Sequence, residues 1–281
     1  MVSLWLREPL KIGKEEVEEY LSLLEVNGLS DRWIYAVRHH LVKYLEFSDW
    51  EIDRTKTLDY LKIIKDRTST SYYRKITYQI RKFLNYLGVE WVKDIRPPAE
   101  PEYNAKRITK DDVLRTIEYF RDDPYFPQLK ALILLGASSG LRAEEMYKLT
   151  LEDIDLENRT VYVRHDPKNG KTTKTGKSRV SFFSREAQEA LTEYLDFFKR
   201  AKLKKLFSQS HIERLFRSAP IRLKDLRKFF SQEWDRRGGP TSIKKILMGH
   251  SLKNDVDLMH YNNQSEGDLK RIYSKVMDSI V

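Results

Sequence analysis

Residues 94–103 contain three prolines and few apolar side chains, and they separate two parts of the chain that differ in character. Proline fixes its own backbone angle and disfavours helix in the residue before it, so this segment is expected to be stiff and extended. A chain of 281 residues is long enough to bury two modest cores. We therefore predict a first domain over residues 1–97, a linker over 98–106 and a second domain over 107–281.

The first part shows helical periodicity and almost no strand-like alternation. Apolar residues recur at helical spacing, and serines stand where helix N-caps are expected. The runs cover residues 15–25, 30–47, 58–67 and 69–87. This pattern predicts a small helical bundle.

The last of these runs carries a second, basic face. Tyr72, Tyr73, Arg81 and Lys82 fall away from its apolar positions. Cations interleaved with tyrosines suit contact with a DNA backbone, although an ordinary solvated helix face is the simpler interpretation of any one of them.

The second part predicts a larger, mainly helical domain with one hairpin. An apolar helix is expected over residues 128–138, and only residues 159–164 and 178–183 alternate as strands do. Between those strands lies a lysine- and glycine-rich stretch, residues 166–177, which predicts a cationic loop. The predicted fold class is mainly α with a small β-hairpin, an α+β arrangement.

The net charge of +10, with 52 lysines and arginines spread along the chain, favours a polyanionic partner, and nucleic acid is the leading candidate. A charged fraction of 33% without cysteine also suits a hot cytoplasm. The lack of cysteine excludes disulfides and thiol nucleophiles. Charges follow Met1 too early for a signal peptide, and no apolar run approaches the ~18 residues of a membrane span. We expect a cytoplasmic protein without a membrane partner.

Arg142 is the first candidate for phosphate chemistry. It follows Gly140 at a turn and begins a predicted helix, where a guanidinium can fork onto two phosphate oxygens. Glu145, one helical turn on, can orient that guanidinium. The Arg142 to Glu145 spacing alone also fits a structural ion pair.

Three further candidates follow later in the chain. Lys224 and Arg227 lie three residues apart on a predicted helix whose apolar residues face elsewhere, so the two cations can bind one phosphate together. His250 follows Gly249, a helix stop that turns the imidazole out of the helix at a fixed place. A single histidine at such a position is more often a cap or surface residue.

Tyr261 is the candidate nucleophile because it stands among turn-forming residues, where a hydroxyl stays accessible. Tyr273 is a rival, but its helical spacing with Leu269 and Val276 predicts packing.

Taken in order, these motifs resemble the tyrosine recombinase (phage integrase) family over roughly residues 107–281, and the helical front matches that family's core-binding domain more loosely. Residues 140–145 are similar to the first arginine box of the family, and residues 246–251 to its Leu-Leu-Gly-His-Ser box. The resemblance implies a catalytic set composed of Arg142, Lys168, Lys224, Arg227, His250 and Tyr261.

One position departs from the family pattern, and the identity of the hairpin lysine is ambiguous. Lys224 stands where the family usually has histidine, as in integrases of archaeal fuselloviruses and related plasmids. The hairpin lysine is expected to be Lys168 from the distance to the first strand, whereas the distance back from Arg179 favours Lys174, and Lys171 lies between them.

The implied reaction is attack of a tyrosine oxygen on a scissile phosphate, which gives a 3′-phosphotyrosyl link and a 5′-hydroxyl. It needs no ATP, no metal and no other cofactor. The implied partners are double-stranded DNA and further copies of the chain in a tetramer, with the amphipathic tail, residues 267–281, docked on a neighbour or else on its own domain.

Four functions fit these residues. A recombinase that integrates or excises a viral or plasmid element comes first. Next are a type IB-like topoisomerase and a Xer-type dimer-resolving recombinase. A DNA-binding protein that has lost catalysis comes last, because each implied position holds a competent residue.

Overall fold

The computed structural model describes residues 10–102, 104–201, 205–251 and 264–280. The chain divides into two compact units, Met1–Asn104 and Ala105–Val281. Among the helices described, none is long and apolar enough to cross a membrane.

The N-terminal unit is a helical bundle with one very short strand pair. Its elements are β1 (Leu10–Lys11), α1 (Lys14–Val26), α2 (Asp31–Phe47), β2 (Glu51–Ile52), α3 (Arg54–Arg67) and α4 (Thr70–Tyr86). The predicted bundle is confirmed. Helix α3 begins earlier than its apolar pattern indicated because the carboxylate of Asp53 accepts the backbone N–H of Lys56 at 2.8 Å. The antiparallel pair β1 and β2 was not predicted, since two-residue strands are too short to show alternation.

The C-terminal unit is also mainly helical. Its helices are α5 (Lys110–Tyr119), α6 (Phe126–Ser139), α7 (Ala143–Met146), α8 (Arg185–Arg200), α9 (Gln209–Leu215), α10 (Leu223–Arg236), α11 (Thr241–Met248) and α12 (Glu266–Met277). Its strands are β3 (Ile154–Asp155), β4 (Thr160–Val163) and β5 (Arg179–Phe182), which form one antiparallel sheet in the order β3-β4-β5. Thr160 pairs with Phe182 and Val163 with Arg179. The predicted hairpin and the predicted fold class are confirmed.

Helix α6 is the centre of this unit. It is buried along most of its length and packs against α8 and α10, as expected of a helix that is apolar on all sides. A Cβ at Gly136 would lie 2.9 Å from Leu226 Cδ1, so glycine permits the close approach of α6 to α10. Gly140 ends α6 with φ +66, and a Cβ there would lie 2.5 Å from the ring of Phe230. These two glycines place the segment after α6 directly against α10.

The tail packs on its own unit. Leu269, Tyr273, Met277 and Ile280 are all buried in the same core as α6 and α10. The hydroxyl of Tyr273 donates to the carbonyl oxygen of Ser138 at 2.8 Å. The expectation that the tail docks on a neighbouring protomer is therefore wrong for residues 264–280, because their apolar face is already covered within the chain.

Candidate active site

Arg142 is held by a glutamate and by a carbonyl group far along the chain. It precedes α7, and its backbone N–H donates to Glu145 Oε2 at 2.8 Å. Its guanidinium donates from Nη1 to Glu145 Oε1 at 3.0 Å and from Nη2 to the carbonyl oxygen of Gly249 at 3.2 Å. The side chain is still 24% exposed, so part of the guanidinium faces solvent.

Arg227 comes to the same place from α10. The apolar residues of α10 predicted to face the core, Leu223, Leu226, Phe230 and Trp234, are buried. Arg227 is half-buried, and its Nη1 donates to the carbonyl oxygen of Gly140 at 2.5 Å. Burial lowers the pKa of Arg227 to about 10, and the charge of Arg142 acts in the same direction. Two guanidinium groups therefore lie close enough to repel each other.

His250 completes this cluster. Helix α11 ends at Gly249 in the left-handed conformation with φ +63, and the backbone N–H of His250 donates to the carbonyl oxygen of Lys245 at 3.0 Å. Partial desolvation lowers the pKa of His250, and the charges of Arg227 and Arg142 lower it further, although the side chain stays accessible. Above its usual pKa of 6.5 the imidazole is therefore neutral and able to accept a proton.

A second arginine shares the carboxylate of Glu145. Arg179, at the start of β5, donates from Nη1 to Glu145 Oε1 at 3.0 Å and from Nη2 to Oε2 at 2.7 Å. Burial raises the pKa of Glu145, but the hydrogen bonds and charge of Arg179 and the N–H of Arg142 outweigh it, and the net shift is downward. The sequence assigned Arg179 no role, because residue type alone does not reveal which carboxylate a strand arginine will meet.

The candidate hairpin lysines differ in their surroundings. Lys168 is exposed in a 3-10 turn, Pro167–Asn169, and Lys174 is exposed in a later turn. Neither makes a hydrogen bond or ion pair within the described part of the chain. Lys171 pairs instead with the buried carboxylate of Asp153 at 2.5 Å. Of the three, Lys171 has the least freedom to reach a substrate.

The turn that carries Lys174 is fixed beside α7. Lys148 Nζ donates to Thr172 Oγ1 at 2.7 Å and to the carbonyl oxygen of Thr172 at 3.1 Å. Thr173 N donates to His165 Nδ1 at 3.1 Å. A small cavity is lined by residues of both segments, including Glu145, Lys148, Lys171, Thr172 and Thr173. Lys174 thus follows directly after two residues that line the same cavity as Glu145.

Lys224 lies in the first turn of α10, three residues before Arg227. It is exposed, and its side chain has no hydrogen bond or ion pair within residues 10–102, 104–201, 205–251 and 264–280. Tyr261 lies outside the described residues. Its rival Tyr273 is 2% exposed, and burial raises the pKa of its hydroxyl far above the usual value. The folded chain therefore does not offer Tyr273 as a nucleophile.

Part of this cluster lies in a segment that matches a known protein family. The profile of the phage integrase family matches residues 106–219. Tyrosine recombinase XerA of Thermococcus onnurineus is 26% identical over 270 residues, covering 93% of this chain and 91% of that protein. Tyrosine recombinase XerA of Saccharolobus solfataricus is 28% identical over 229 residues, covering 76% of this chain and 71% of that protein.

Solved structures show the same fold at low identity. A lambda integrase dimer bound to a COC′ core site has a TM-score of 0.67 at 14% identity and covers 91% of this chain and 78% of that chain. The Tn1549 transposon integrase in complex with transposon right end DNA has a TM-score of 0.61 at 15% identity and covers 94% of this chain and 99% of that chain. The match of residues 106–219 to the phage integrase family and the similarity of most of the chain to tyrosine recombinases support the tyrosine recombinase family, and the solved structures show the fold.

Proposed function

We propose that this chain is a site-specific DNA recombinase that cleaves and rejoins strands through a 3′-phosphotyrosyl intermediate. The observation that carries the proposal is the convergence of Arg142, Arg227 and His250 from three separate segments. Arg142 reaches the residue before His250, and Arg227 reaches the turn before Arg142. Such a cluster at the protein surface suits an anion that approaches from solvent.

The net charge of the cluster suits the transition state of a reaction at a phosphodiester. Arg142, Arg179 and Arg227 contribute three positive charges, Glu145 contributes one negative charge, and 3 − 1 leaves +2. A phosphodiester carries one negative charge and gains a second as the attacking oxygen adds. Preorganised donors that face developing charge stabilise the transition state more than the ground state.

The proposed steps conserve atoms and charge. The oxygen of Tyr261 bonds to phosphorus, the bond from phosphorus to the 5′ oxygen breaks, and Arg142 and Arg227 bind the nonbridging oxygens. Neutral His250 accepts the tyrosine proton, and a hairpin lysine protonates the leaving 5′ oxygen. The 5′-hydroxyl of the partner strand then reverses the step. Bond energy is kept in the phosphotyrosyl link, so the scheme uses no ATP.

We propose Lys168 as that lysine, with Lys174 as the alternative. The distance from the first strand of the hairpin supports Lys168, and the position of Thr172 and Thr173 beside α7 supports Lys174. The ion pair of Lys171 with Asp153 argues against Lys171. Single alanine variants of the three lysines, assayed on DNA with a bridging 5′-phosphorothiolate, distinguish them. A sulfur leaving group needs no proton, so only the variant that lacks the general acid should regain the wild-type rate on this substrate.

Duplex DNA is the proposed substrate, and a tetramer on DNA is the proposed assembly. One similar structure is a lambda integrase tetramer bound to a Holliday junction, which supports both. The N-terminal unit adds a surface suited to a nucleic-acid backbone. Lys75 Nζ lies 5.2 Å from the ring centre of Trp33, and Lys82 Nζ lies 4.9 Å from that of Tyr78, with both rings partly exposed.

Integration or excision of a viral or plasmid element is the finer proposal, and a Xer-type reaction is its alternative. The names of the relatives support the alternative, since several are called XerA. The integrases among the similar structures support the first. A type IB-like topoisomerase shares the chemistry but does not exchange strands between chosen sites.

A covalent capture experiment tests the proposal. Nicked duplexes with random inserts are incubated with the protein, and the linked DNA is recovered and sequenced. A recombinase should enrich one site with two inverted half-sites, and two plasmids carrying that site should then recombine. Relaxation of any supercoiled plasmid without an enriched site would favour the topoisomerase.

A further inference from the structure

Arg179 is more deeply buried than Arg142, and in the described part of the chain its side chain makes more hydrogen bonds than that of Arg142 or Arg227. Its side chain is 8% exposed. Besides the two bonds to Glu145, its Nε donates to the carbonyl oxygen of Leu247 at 2.9 Å. All three nitrogens of the guanidinium thus donate to acceptors inside the protein, so Arg179 itself is not presented to a substrate.

Its bonds connect the hairpin to two of the segments that build the candidate site, those of Arg142 and His250. Arg179 lies on the hairpin strand β5, Glu145 lies on α7 beside Arg142, and Leu247 lies in the last turn of α11 before His250. Gly249 packs directly on the arginine, because a Cβ there would lie 2.8 Å from Arg179 Cδ and Nε. Removal of this guanidinium would leave an internal gap at the point where the segments meet.

The shared carboxylate has an electrostatic consequence. Glu145 Oε1 accepts one N–H from Arg142 and one from Arg179, and Oε2 accepts the backbone N–H of Arg142 and a second N–H from Arg179. Without Arg179, the carboxylate would neutralise Arg142 alone. With Arg179 present, the three groups together keep a positive charge, and Arg142 is the partly exposed member of the trio.

We propose that Arg179 is a positioning residue for strand cleavage, which binds Glu145 and the carbonyl group of Leu247 together and so holds Arg142 and His250 in register beneath the phosphate. This proposal rests on the proposed function. This role requires the planar, multidentate guanidinium and not only its positive charge. A lysine ammonium cannot bond both carboxylate oxygens of Glu145 and also reach the carbonyl group of Leu247.

Two substitutions and one matched control test it. Arg179→Gln removes the charge, and Arg179→Lys keeps the charge but loses the fork. Arg237→Gln is the control, since Arg237 also binds one carboxylate, Glu233 at 2.5 Å, and two carbonyl oxygens, those of Val276 and Ser279. It lies at the far end of α10 from Arg227. For each variant we would measure Tm, DNA affinity and the single-turnover rate of adduct formation at saturating DNA.

Both Arg179 variants should slow adduct formation, by up to about 100-fold for a misplacement of about 1 Å, with DNA affinity changed far less. Arg237→Gln should lower Tm and leave the rate of the folded protein unchanged. A wild-type rate in Arg179→Lys, or equal rate losses in the Arg179 variants and Arg237→Gln, would overturn the positioning role.

A second readout does not depend on activity. The NMR titration of the His250 imidazole, assigned from its absence in His250→Gln, reports the charges around it. Partial desolvation lowers its pKa most, and the charges of Arg227, Arg142, Lys244 and Arg179, in decreasing order, lower it further. Arg179→Gln should raise that pKa toward 6.5. If the pKa of His250 does not change in Arg179→Gln, the positioning role is contradicted, whether or not the wild-type protein forms an adduct. If the pKa changes but the wild-type protein forms no adduct, only the proposed function is contradicted.

Discussion

Arg142 Nη2 donates a hydrogen bond to the carbonyl oxygen of Gly249 at 3.2 Å, across 107 positions of the chain. Arg227 makes the corresponding bond to the carbonyl oxygen of Gly140, across 87 positions. In both cases the acceptor is a glycine in the left-handed conformation immediately before, or two residues before, another candidate active-site residue. Backbone carbonyl groups at helix ends thus connect Arg142 to the segment of His250 and Arg227 to the segment of Arg142.

Gly249→Ala should therefore impair cleavage as well as stability. Alanine at φ +63 costs about 1–2 kcal/mol in any setting. At Gly249 the added Cβ would also lie 2.8 Å from Arg179, so the α11 end that carries His250 must shift. We expect a lower Tm and a slower single-turnover rate.

Gly238→Ala is the matched control for this substitution. Gly238 has φ +72, but an added Cβ meets no atom within 4 Å, so only the backbone strain remains. It should lose stability without loss of cleavage rate. Equal rates for the two variants would mean that the contact between Gly249 and Arg179 does not matter for the reaction.

Lys224→Ala should slow adduct formation on the order of 100-fold without abolishing it, because the phosphate keeps Arg142 and Arg227 when one donor is removed. Lys224→His should restore part of the rate if the position supplies a hydrogen bond. Lys130→Ala, which removes a lysine paired with Glu193 at 3.1 Å, is the control in a quench-flow assay. Complete loss in Lys224→Ala would instead make this lysine indispensable.

Asp153 should stabilise the hairpin in a pH-dependent way. Burial raises its pKa, but the hydrogen bonds of Lys171 and Thr150 outweigh burial and hold the pKa below 3.8. A depressed carboxyl pKa gives stability that is present above 3.8 and is lost as pH falls through the folded-state value. Asp153→Asn should cost about 1–3 kcal/mol at neutral pH, and the difference from wild type should shrink in acid.

Thermal unfolding followed from neutral pH to about pH 3 measures this difference. The exposed Asp122, which has no partner in the described part of the chain, supplies the control Asp122→Asn. A difference that persists unchanged in acid would show that Asp153 acts through packing and not through its charge.

Tyr273→Phe should lower stability and leave cleavage intact. It removes the hydroxyl that donates to the carbonyl oxygen of Ser138 inside the core, a loss of about 1–3 kcal/mol. Deletion of residues 267–281 should be far more damaging, because Leu269, Met277 and Ile280 leave the core with it. A truncated protein with an unchanged unfolding transition would contradict the packing of the tail on its own unit.

The sequence was a good guide where a feature is local. Helical spacing and Gly140 or Gly249 at helix ends predict elements and turns that the structure has. It was a poor guide where a feature depends on distant partners. The covered face of α12 and the pairing of Arg179 with Glu145 arise from packing between segments that no local pattern connects. Amphipathicity predicted that the tail has a partner but did not say that the partners are β5, α6 and α10 of the same unit.

The most direct measurement of the central claim is to trap the covalent adduct on a nicked suicide substrate and to map the linked peptide by mass spectrometry. The account predicts a single linkage at Tyr261, a complete loss of adduct in Tyr261→Phe, and unchanged folding and DNA affinity in that variant, since one oxygen and little volume are removed. An adduct that persists in Tyr261→Phe or maps to Tyr273 would contradict the nucleophile, and no adduct on any enriched DNA would contradict the recombinase itself.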